Sequence, residues 1–272
     1  MRPRPATAVA VLALLSLPVG VVTASKFTGF TSAIPLRFEA DTLDGAVAGD
    51  GFGRSVANAG DVNGDGVPDL IIGAAHQQGS ARVVSGADGA ILHTFYGGVD
   101  GRDFGAAVAG AGDVNADGYA DLIVGDPLEV GPYDEANDIS RLGVAHVYSG
   151  LDGSELHLLA GTGFFTFGTS VASAGDVDGD GHADVLVGEP NGAIDRNGAG
   201  RAWVFSGATG ERLMVVDGAD ADDAFGQSVA GAGDVNGDGY PDFVVGAPAG
   251  LHDGIATGLA IVYSGADAAV LH

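Results

Sequence analysis

An aspartate-rich loop of nine residues recurs four times in this chain, in the form D-V-[ND]-x-D-G-x-x-D. The copies run from Asp61 to Asp69, Asp113 to Asp121, Asp176 to Asp184, and Asp234 to Asp242. Short oxygen-bearing side chains at alternate positions, with a glycine where the backbone turns sharply, suit the flexible oxygen coordination of calcium. Any fold for this chain must therefore present four equivalent turns of this kind.

The predicted calcium ligands are the side-chain oxygens at loop positions 1, 3, 5 and 9 and the backbone carbonyl at position 7. In chain order they are Asp61, Asn63, Asp65, Val67 and Asp69; Asp113, Asn115, Asp117, Tyr119 and Asp121; Asp176, Asp178, Asp180, His182 and Asp184; Asp234, Asn236, Asp238, Tyr240 and Asp242. Five protein ligands plus water reach the six to eight that calcium takes. The predicted cofactor is Ca²⁺, about four ions at one per repeat.

Two other readings of the loop compete with this one. An EF-hand requires a glutamate at position 12 and flanking helices. That position holds Ile72, Val124, Val187 or Val245, in strand-like sequence, so an EF-hand is excluded. The loops could also be metal-free Asp-Gly turns. Four loops with three or more carboxylates each would repel themselves if empty, which favours calcium.

Each loop is the centre of a longer repeat. Phenylalanine-glycine pairs open the repeats at Phe52, Phe104, Phe167 and Phe225, which gives offsets of 52, 63 and 58 residues. Each repeat contains four short strand-like pieces bounded by Gly, Asp and Ser, without helical periodicity. Four antiparallel strands per repeat predict the blades of an all-β propeller. The content of 48 glycines also argues against a helical protein.

The domain prediction has three parts. Residues 1–24 read as a cleaved signal peptide, with Arg2 and Arg4 before an apolar run that Pro18 interrupts below spanning length. Residues 25–51 form an N-terminal segment, in which residues 36–40 could close the ring by completing the last blade. Residues 52–272 form the propeller, with repeats starting near 52, 104, 167 and 225. The prediction is thus a secreted, cell-surface or periplasmic chain without a transmembrane segment after signal cleavage.

The motifs resemble the FG-GAP repeats of the integrin α-chain head. Both halves of the name occur in the fourth repeat, as Phe225-Gly226 and Gly246-Ala247-Pro248 around the aspartate loop. The resemblance implies a β-propeller that carries calcium in its hairpin loops and serves in extracellular adhesion or ligand recognition. The integrin head has seven blades, whereas four repeats are present here. The four blades either close alone or form part of a larger ring.

No residue pattern predicts catalysis with comparable strength. Ser55, Ser170 and Ser228 lie in G-x-S-x-A contexts but lack the second glycine of a nucleophile elbow, and we interpret them as packing residues. The seven histidines lack zinc-ligand spacing. Glu129, Asp134 and Glu135 could suggest paired carboxylates, although a charged loop explains them as well. The chain is predicted not to be an enzyme; the alternative is an extracellular hydrolase acting on carbohydrate or phosphoester.

Partner binding is predicted on the rim opposite the calcium loops. In an antiparallel blade, the connections between strands one and two and between three and four share one rim. The irregular loops lie on the other rim, where recognition tends to reside. The weaker predicted contacts there are Tyr133, Asp134, Arg141, Arg196 and His252. An extracellular protein or glycan is the expected ligand, and the formal net charge of −25 argues against nucleic acid.

Overall fold

The computed structural model describes residues 42–76, 79–98, 103–128, 143–161, 166–191, 198–220, 223–252 and 255–272. Residues 44–272 form one compact unit. The predicted signal peptide and the predicted closing strand at 36–40 lie outside the described residues and stay predictions. The described part of the chain contains β-strands and turns but no helix.

The strands follow the four repeats. The first repeat contains β1 (Phe52–Gly60), β2 (Asp69–Ala74), β3 (Ser80–Val84) and β4 (Ile91–Tyr96). The second contains β5 (Ala107–Gly112), β6 (Asp121–Asp126), β7 (Val144–Tyr148) and β8 (Glu155–Ala160). The third contains β9 (Ser170–Gly175), β10 (Asp184–Glu189), β11 (Arg201–Phe205) and β12 (Arg212–Asp217). The fourth contains β13 (Ser228–Gly233), β14 (Asp242–Ala247), β15 (Leu251–His252), β16 (Ile255–Ala256) and β17 (Leu259–Tyr263).

Every repeat forms one antiparallel sheet, as the sequence predicts for a propeller blade. Blades 1, 2 and 3 have four strands in sequential order. Blade 4 has β13, β14 and β17. The segment that follows β17 runs back alongside it, and Val270 forms an isolated antiparallel bridge with Tyr263. Leu271 N–H donates to Val262 O at 2.8 Å and Val262 N–H donates to His272 O at 2.9 Å, so residues 270–272 pair with β17 where the other blades have their fourth strand. The small β15–β16 ribbon in the preceding loop was not predicted.

The blades are held together by apolar residues that alternate between the two faces of each sheet. We call the face that packs on the following blade the forward face, and the other the backward face. Ile71 and Val83 of blade 1 share one buried cluster with Val108 and Leu122 of blade 2. Equivalent clusters join blade 2 to blade 3 and blade 3 to blade 4. The core formed by the described residues thus contains one kind of interface three times.

Blade packing proceeds in one direction along the chain. β1 packs on β5, β5 on β9, and β9 on β13. Within the described residues, no buried cluster joins blade 4 back to blade 1. The four described blades therefore pack in sequence, and ring closure, by these blades alone or as part of a larger ring, stays a prediction.

Candidate metal centres

The first aspartate of each loop organises the turn around its carboxylate. In the third loop, Asp176 Oδ1 accepts hydrogen bonds from Gly179 N at 2.7 Å and Asp180 N at 3.0 Å. Asp176 Oδ2 accepts another from Gly181 N at 2.9 Å. Asp61 and Asp234 accept the same three bonds in their loops, and Asp113 accepts those from Asp117 N and Gly118 N. The loop thus curls around its own carboxylate. In the second and fourth loops the side chains of positions 3 and 5 contact each other, because the amide Nδ2 of the asparagine donates to the aspartate Oδ2.

The glycine at position 6 makes this curl possible. Its φ angle is positive in all four loops, at 83°, 91°, 91° and 95°. These values lie in the left-handed region that glycine adopts at low cost. The residues concerned are Gly66, Gly118, Gly181 and Gly239. The interpretation of these glycines as turn residues is confirmed.

The ninth aspartate connects two hairpins at the same rim. Asp184 is fully buried; its Oδ2 accepts from Val177 N at 2.8 Å and its Oδ1 from Gly207 N at 2.9 Å. Val177 lies in the aspartate loop, whereas Gly207 lies in the Ser-Gly turn between the third and fourth strands. Asp69, Asp121 and Asp242 make the same pair of bonds. The two connections therefore share one rim, as the antiparallel topology predicts.

The amide donors in the Ser-Gly turns are structural partners of the loops that the sequence reasoning missed. They are Gly86, Gly150, Gly207 and Gly265. A signal existed in the sequence, because a Ser-Gly pair follows the third strand in every repeat. It predicted a turn, but nothing in the spacing connected that turn to an aspartate up to 29 residues earlier.

The third loop brings three carboxylates together. One oxygen from each of Asp176, Asp178 and Asp184 lies within 4.8 Å of the other two. Two ligands on opposite sides of a calcium ion, each bonded at about 2.4 Å, stand about 4.8 Å apart. The donor set and its spacing therefore fit Ca²⁺. The other three loops hold asparagine at position 3, so this triad of carboxylates is specific to the third loop.

The crowding of these acids affects proton binding. The pKa of Asp184 is raised to about 6, chiefly by burial and also by the charges of Asp178 and Asp180, against the hydrogen bonds from Gly207 and Val177, which lower it. Burial also raises the pKa of Asp121. A cation in these loops would relieve the unfavourable charge, since an opposite charge stabilises a carboxylate.

Consecutive loops touch each other. His182 Nδ1 lies 2.7 Å from Val114 O of the preceding loop. Ala120 N donates to Asp61 O at 3.1 Å, and Ala183 N donates to Asp113 O at 2.9 Å. Position 7 thus borders the preceding loop, in addition to offering its carbonyl as a predicted ligand. The four centres form a continuous row along one rim rather than isolated turns.

Several serine, tryptophan and histidine side chains outside the aspartate loops have structural roles among the described residues. Ser55 Oγ accepts from Val108 N at 3.1 Å, and Ser170 Oγ donates to Gly226 O at 2.8 Å, so both bridge adjacent blades. Trp203 is buried and donates from Nε1 to Glu189 Oε2 at 2.9 Å. His157 Nε2 lies 2.6 Å from Gly207 O of the next blade. Packing explains each of these side chains.

The predicted partner face falls largely outside the described residues. The residues outside the described ranges are Tyr133, Asp134, Arg141 and Arg196, together with Glu129 and Glu135. For His252 the structure describes only the backbone, which belongs to β15 and pairs with Ile255. These residues stay predictions.

Sheets of four sequential antiparallel strands, packed face to face in series, define the blades of a β-propeller. The sequence matches the FG-GAP repeat family at residues 52–89, 104–140, 167–205 and 225–263. These segments correspond to the four blades and cover more than half of the chain. The chain belongs to the FG-GAP repeat family.

Integrin α chains are similar to this protein over most of its length. It is 34% identical to integrin alpha-5 of Xenopus laevis over 214 residues, covering 72% of this chain and 20% of the relative. It is 33% identical to integrin alpha-V of Gallus gallus over 210 residues, covering 72% and 20%. It is 38% identical to human integrin alpha-IIb over 158 residues, covering 53% and 14%. The chain thus spans about a fifth or less of the length of these relatives.

These relatives are integrin α chains rather than enzymes, in agreement with the prediction of a non-enzymatic module. No helix in the described ranges has the length and apolar character needed to cross a membrane.

Proposed function

We propose that the chain is a secreted, calcium-stabilised FG-GAP propeller that recognises an extracellular protein or glycan in adhesion. Similarity to integrin α chains supports the recognition role. The observation that carries the calcium assignment is the convergence of Asp176, Asp178 and Asp184. The repetition of the same loop geometry supports about four ions, one per blade.

Asp176, Asp178 and Asp184 would hold the ion in the third loop with Asp180 and the His182 carbonyl, and the equivalent residues would do so in the other loops. Calcium supplies positive charge among these carboxylates. The protein itself supplies the rigid frame, because each ninth aspartate already connects the loop to the Ser-Gly turn. We infer that the ions stiffen this rim and leave the opposite rim for partner binding.

Calorimetric titration of chelator-treated protein with Ca²⁺ tests the metal assignment. We expect about four sites, and an Asp176→Ala variant should lose one of them while the other three remain. Asp88→Ala, which changes an exposed aspartate of the β3–β4 turn outside the loops, is a matched control and should retain all sites. Absence of heat at every calcium concentration would contradict the proposal.

Recognition is tested by capture of partners from the native cell surface and medium, with and without chelator. The informative variant shortens the loop between Asp126 and Val144 while keeping β6 and β7. We expect it to retain calcium binding and the thermal transition but to lose the partner. If partner capture survives this deletion in a folded protein, the assignment of the opposite rim is wrong.

A further inference from the structure

The backward face of blade 1 and the forward face of blade 4 are the two halves of the interface that occurs three times inside the protein. Both are partly uncovered among the described residues; on the blade 1 face, Ile72 and Val84 are buried. Val56 is 66% exposed and Leu70 is 44% exposed, whereas their counterparts in blade 2, Val108 and Leu122, are 5% and 0% exposed. On blade 4, Val235 is 53% exposed, although Val114 at the same position is fully buried. Apolar side chains that pack elsewhere in the repeat meet solvent at both ends.

We propose that these two faces bind each other in different copies of the chain, so that blade 4 of one molecule packs on blade 1 of a second. The occupant is a second copy because the chain itself contains both surfaces of the interface. A contact of this kind is heterologous, since one face meets a different face. It continues the established blade-to-blade packing without requiring a new mode of contact.

The details of the interior junctions support this pairing. A Cβ placed on Gly175 at the end of β9 would come within 2.8 Å of Pro241 Cγ in blade 4. A Cβ on Gly233, the equivalent of Gly175, would meet no atom within 4 Å. Pro68 occupies in blade 1 the position that Pro241 has in blade 4. Gly233 therefore has no proline packed against it, and Pro68 of a second copy would occupy that place.

A second contact repeats in the same way. In the interior, the valine at position 2 of one loop packs on the Ser-Gly turn of the next blade. A Cβ on Gly150 would lie 3.0 Å from Val62 Cγ1, and one on Gly265 would lie 3.3 Å from Val177 Cγ1. Val235 is the exposed member of this series, and Gly86 of blade 1 is its matching turn.

Hydrogen bonding is also available at the junction. Ser55 and Ser170, at the start of the first strands, each bond to the backbone of the following blade. Ser228 is the equivalent residue of blade 4 and is exposed. A blade 1 packed against it would present the backbone of residues 53–56, which corresponds to the partners of the interior serines.

Asn58 is the position where blade 1 departs from the interior pattern. A Cβ on its counterpart Gly110 would lie 2.8 Å from Asn58 O of the preceding blade, and one on Gly231 would lie 2.7 Å from Ser173 O. Small residues therefore occupy this point of close approach, whereas Asn58 is larger and exposed. The proposed junction must accommodate its side chain, which gives the proposal a separate test.

Two head-to-tail junctions would join two four-blade series into eight blades, which lies within the range of four to eight typical of propellers. Heterologous contacts close into rings when the rotation allows it. We therefore expect a dimer of the full chain in solution. Like charges on two acidic copies oppose association, so the measurement belongs at about 0.15 M salt with calcium present.

Sedimentation velocity across a concentration series tests the junction. Val56→Asp alters only the blade 1 face, and Val235→Asp alters only the blade 4 face. We expect each variant alone to sediment as a monomer, and its circular dichroism spectrum should show that it is folded. An equimolar mixture should recover a dimer, because one intact face of each kind remains. Leu158→Asp, at an exposed site on β8, is the control and should associate like the unchanged protein.

Recovery in the mixture is the specific signature of a head-to-tail contact. Higher assemblies that need the same two faces also support the junction. A monomeric unchanged protein at every concentration would overturn the proposal, and so would a mixture that stays monomeric while the unchanged protein associates. Asn58→Gly should lower the dissociation constant several-fold; weaker association of that variant would contradict the proposed packing.

Discussion

Among the described residues, blades 2 and 3 pack against a neighbouring blade on both faces, whereas blades 1 and 4 each do so on one face. The same sequence positions therefore have different environments. The second loop residue is buried as Val62, Val114 and Val177 but exposed as Val235. The repeating sequence specifies one kind of blade, and the position of the blade in the series decides how much of it is packed. The residue type at a repeat position therefore does not by itself indicate how much that residue contributes to the stability of the fold.

Blades 1 and 4 also differ from each other in which face exposes apolar residues. Blade 1 exposes Val56 and Leu70 on its backward face, whereas its forward face is buried against blade 2. Blade 4 exposes Val235 on its forward face, whereas Phe225 and Phe243 are buried toward blade 3. Since a series of repeats has nearest-neighbour interactions only, each uncovered face represents one missing interface term.

The largest expected difference in stability is between the Val114→Asp and Val235→Asp variants. Val114 lies against the Ser-Gly turn of blade 3 with no exposed surface, so the new carboxylate would be buried without a partner. We expect a loss on the order of 5 kcal/mol in the free energy of unfolding, enough to prevent folding. Val235→Asp places the same charge in water and should leave the thermal transition of the monomer unchanged. Similar melting of the two variants would break the comparison.

A second contrast uses the phenylalanine that opens each repeat. Phe167 is fully buried, with edge contacts to the rings of Trp203 and Phe205. Phe52 is only half-buried, beneath the Arg82 guanidinium. We expect Phe167→Ala to cost about 3–5 kcal/mol and Phe52→Ala about 1 kcal/mol. Urea unfolding of both variants at low protein concentration measures the difference; equal costs would mean that the blade 1 face is covered in solution.

The sequence predicted local structure well and position within the series poorly. Blades 1, 2 and 3 each contain the four strands that the sequence predicts, because alternation and turn residues are local signals. The shared rim of two hairpins follows from antiparallel pairing alone. The exposure of Val56 and Val235 depends on which blades are neighbours, and no local pattern records that. The bond from Gly207 to Asp184 likewise joins residues that only the folded blade brings together.

The metal loops were predicted at the level of each residue type, but their differences needed the structure. Asn63 and Asp178 occupy the same loop position, and the aspartate gives the third loop one more carboxylate than the others. The structure adds that this charge converges with two further carboxylates, which only the three-dimensional arrangement could establish.

The contrast between interior and terminal blades also applies to the calcium affinities of the loops. The third loop has four aspartates and is covered by blade 4, whereas the fourth loop has an asparagine and an exposed Val235. We expect the third loop to bind calcium most tightly and the fourth most weakly. Asp178→Asn should reduce the affinity of the third loop by about tenfold, since it removes one ligand charge. Calorimetry of single-loop variants measures this, and equal affinities at all four loops would contradict it.

The smallest expected effect concerns the backbone of the second loop. Ala116 has a φ angle of 58°, where Gly64, Gly179 and Gly237 have angles of 75° to 77°. A residue with a Cβ pays about 1 kcal/mol in this left-handed region, which glycine avoids. We expect Ala116→Gly to stabilise the protein by up to about 1 kcal/mol, and the reverse change Gly179→Ala in the third loop to destabilise it similarly. Thermal unfolding with calcium and with chelator measures both variants. If the two changes shift stability in the same direction, backbone strain does not distinguish these two interior loops, and their differences come from ligand charge alone.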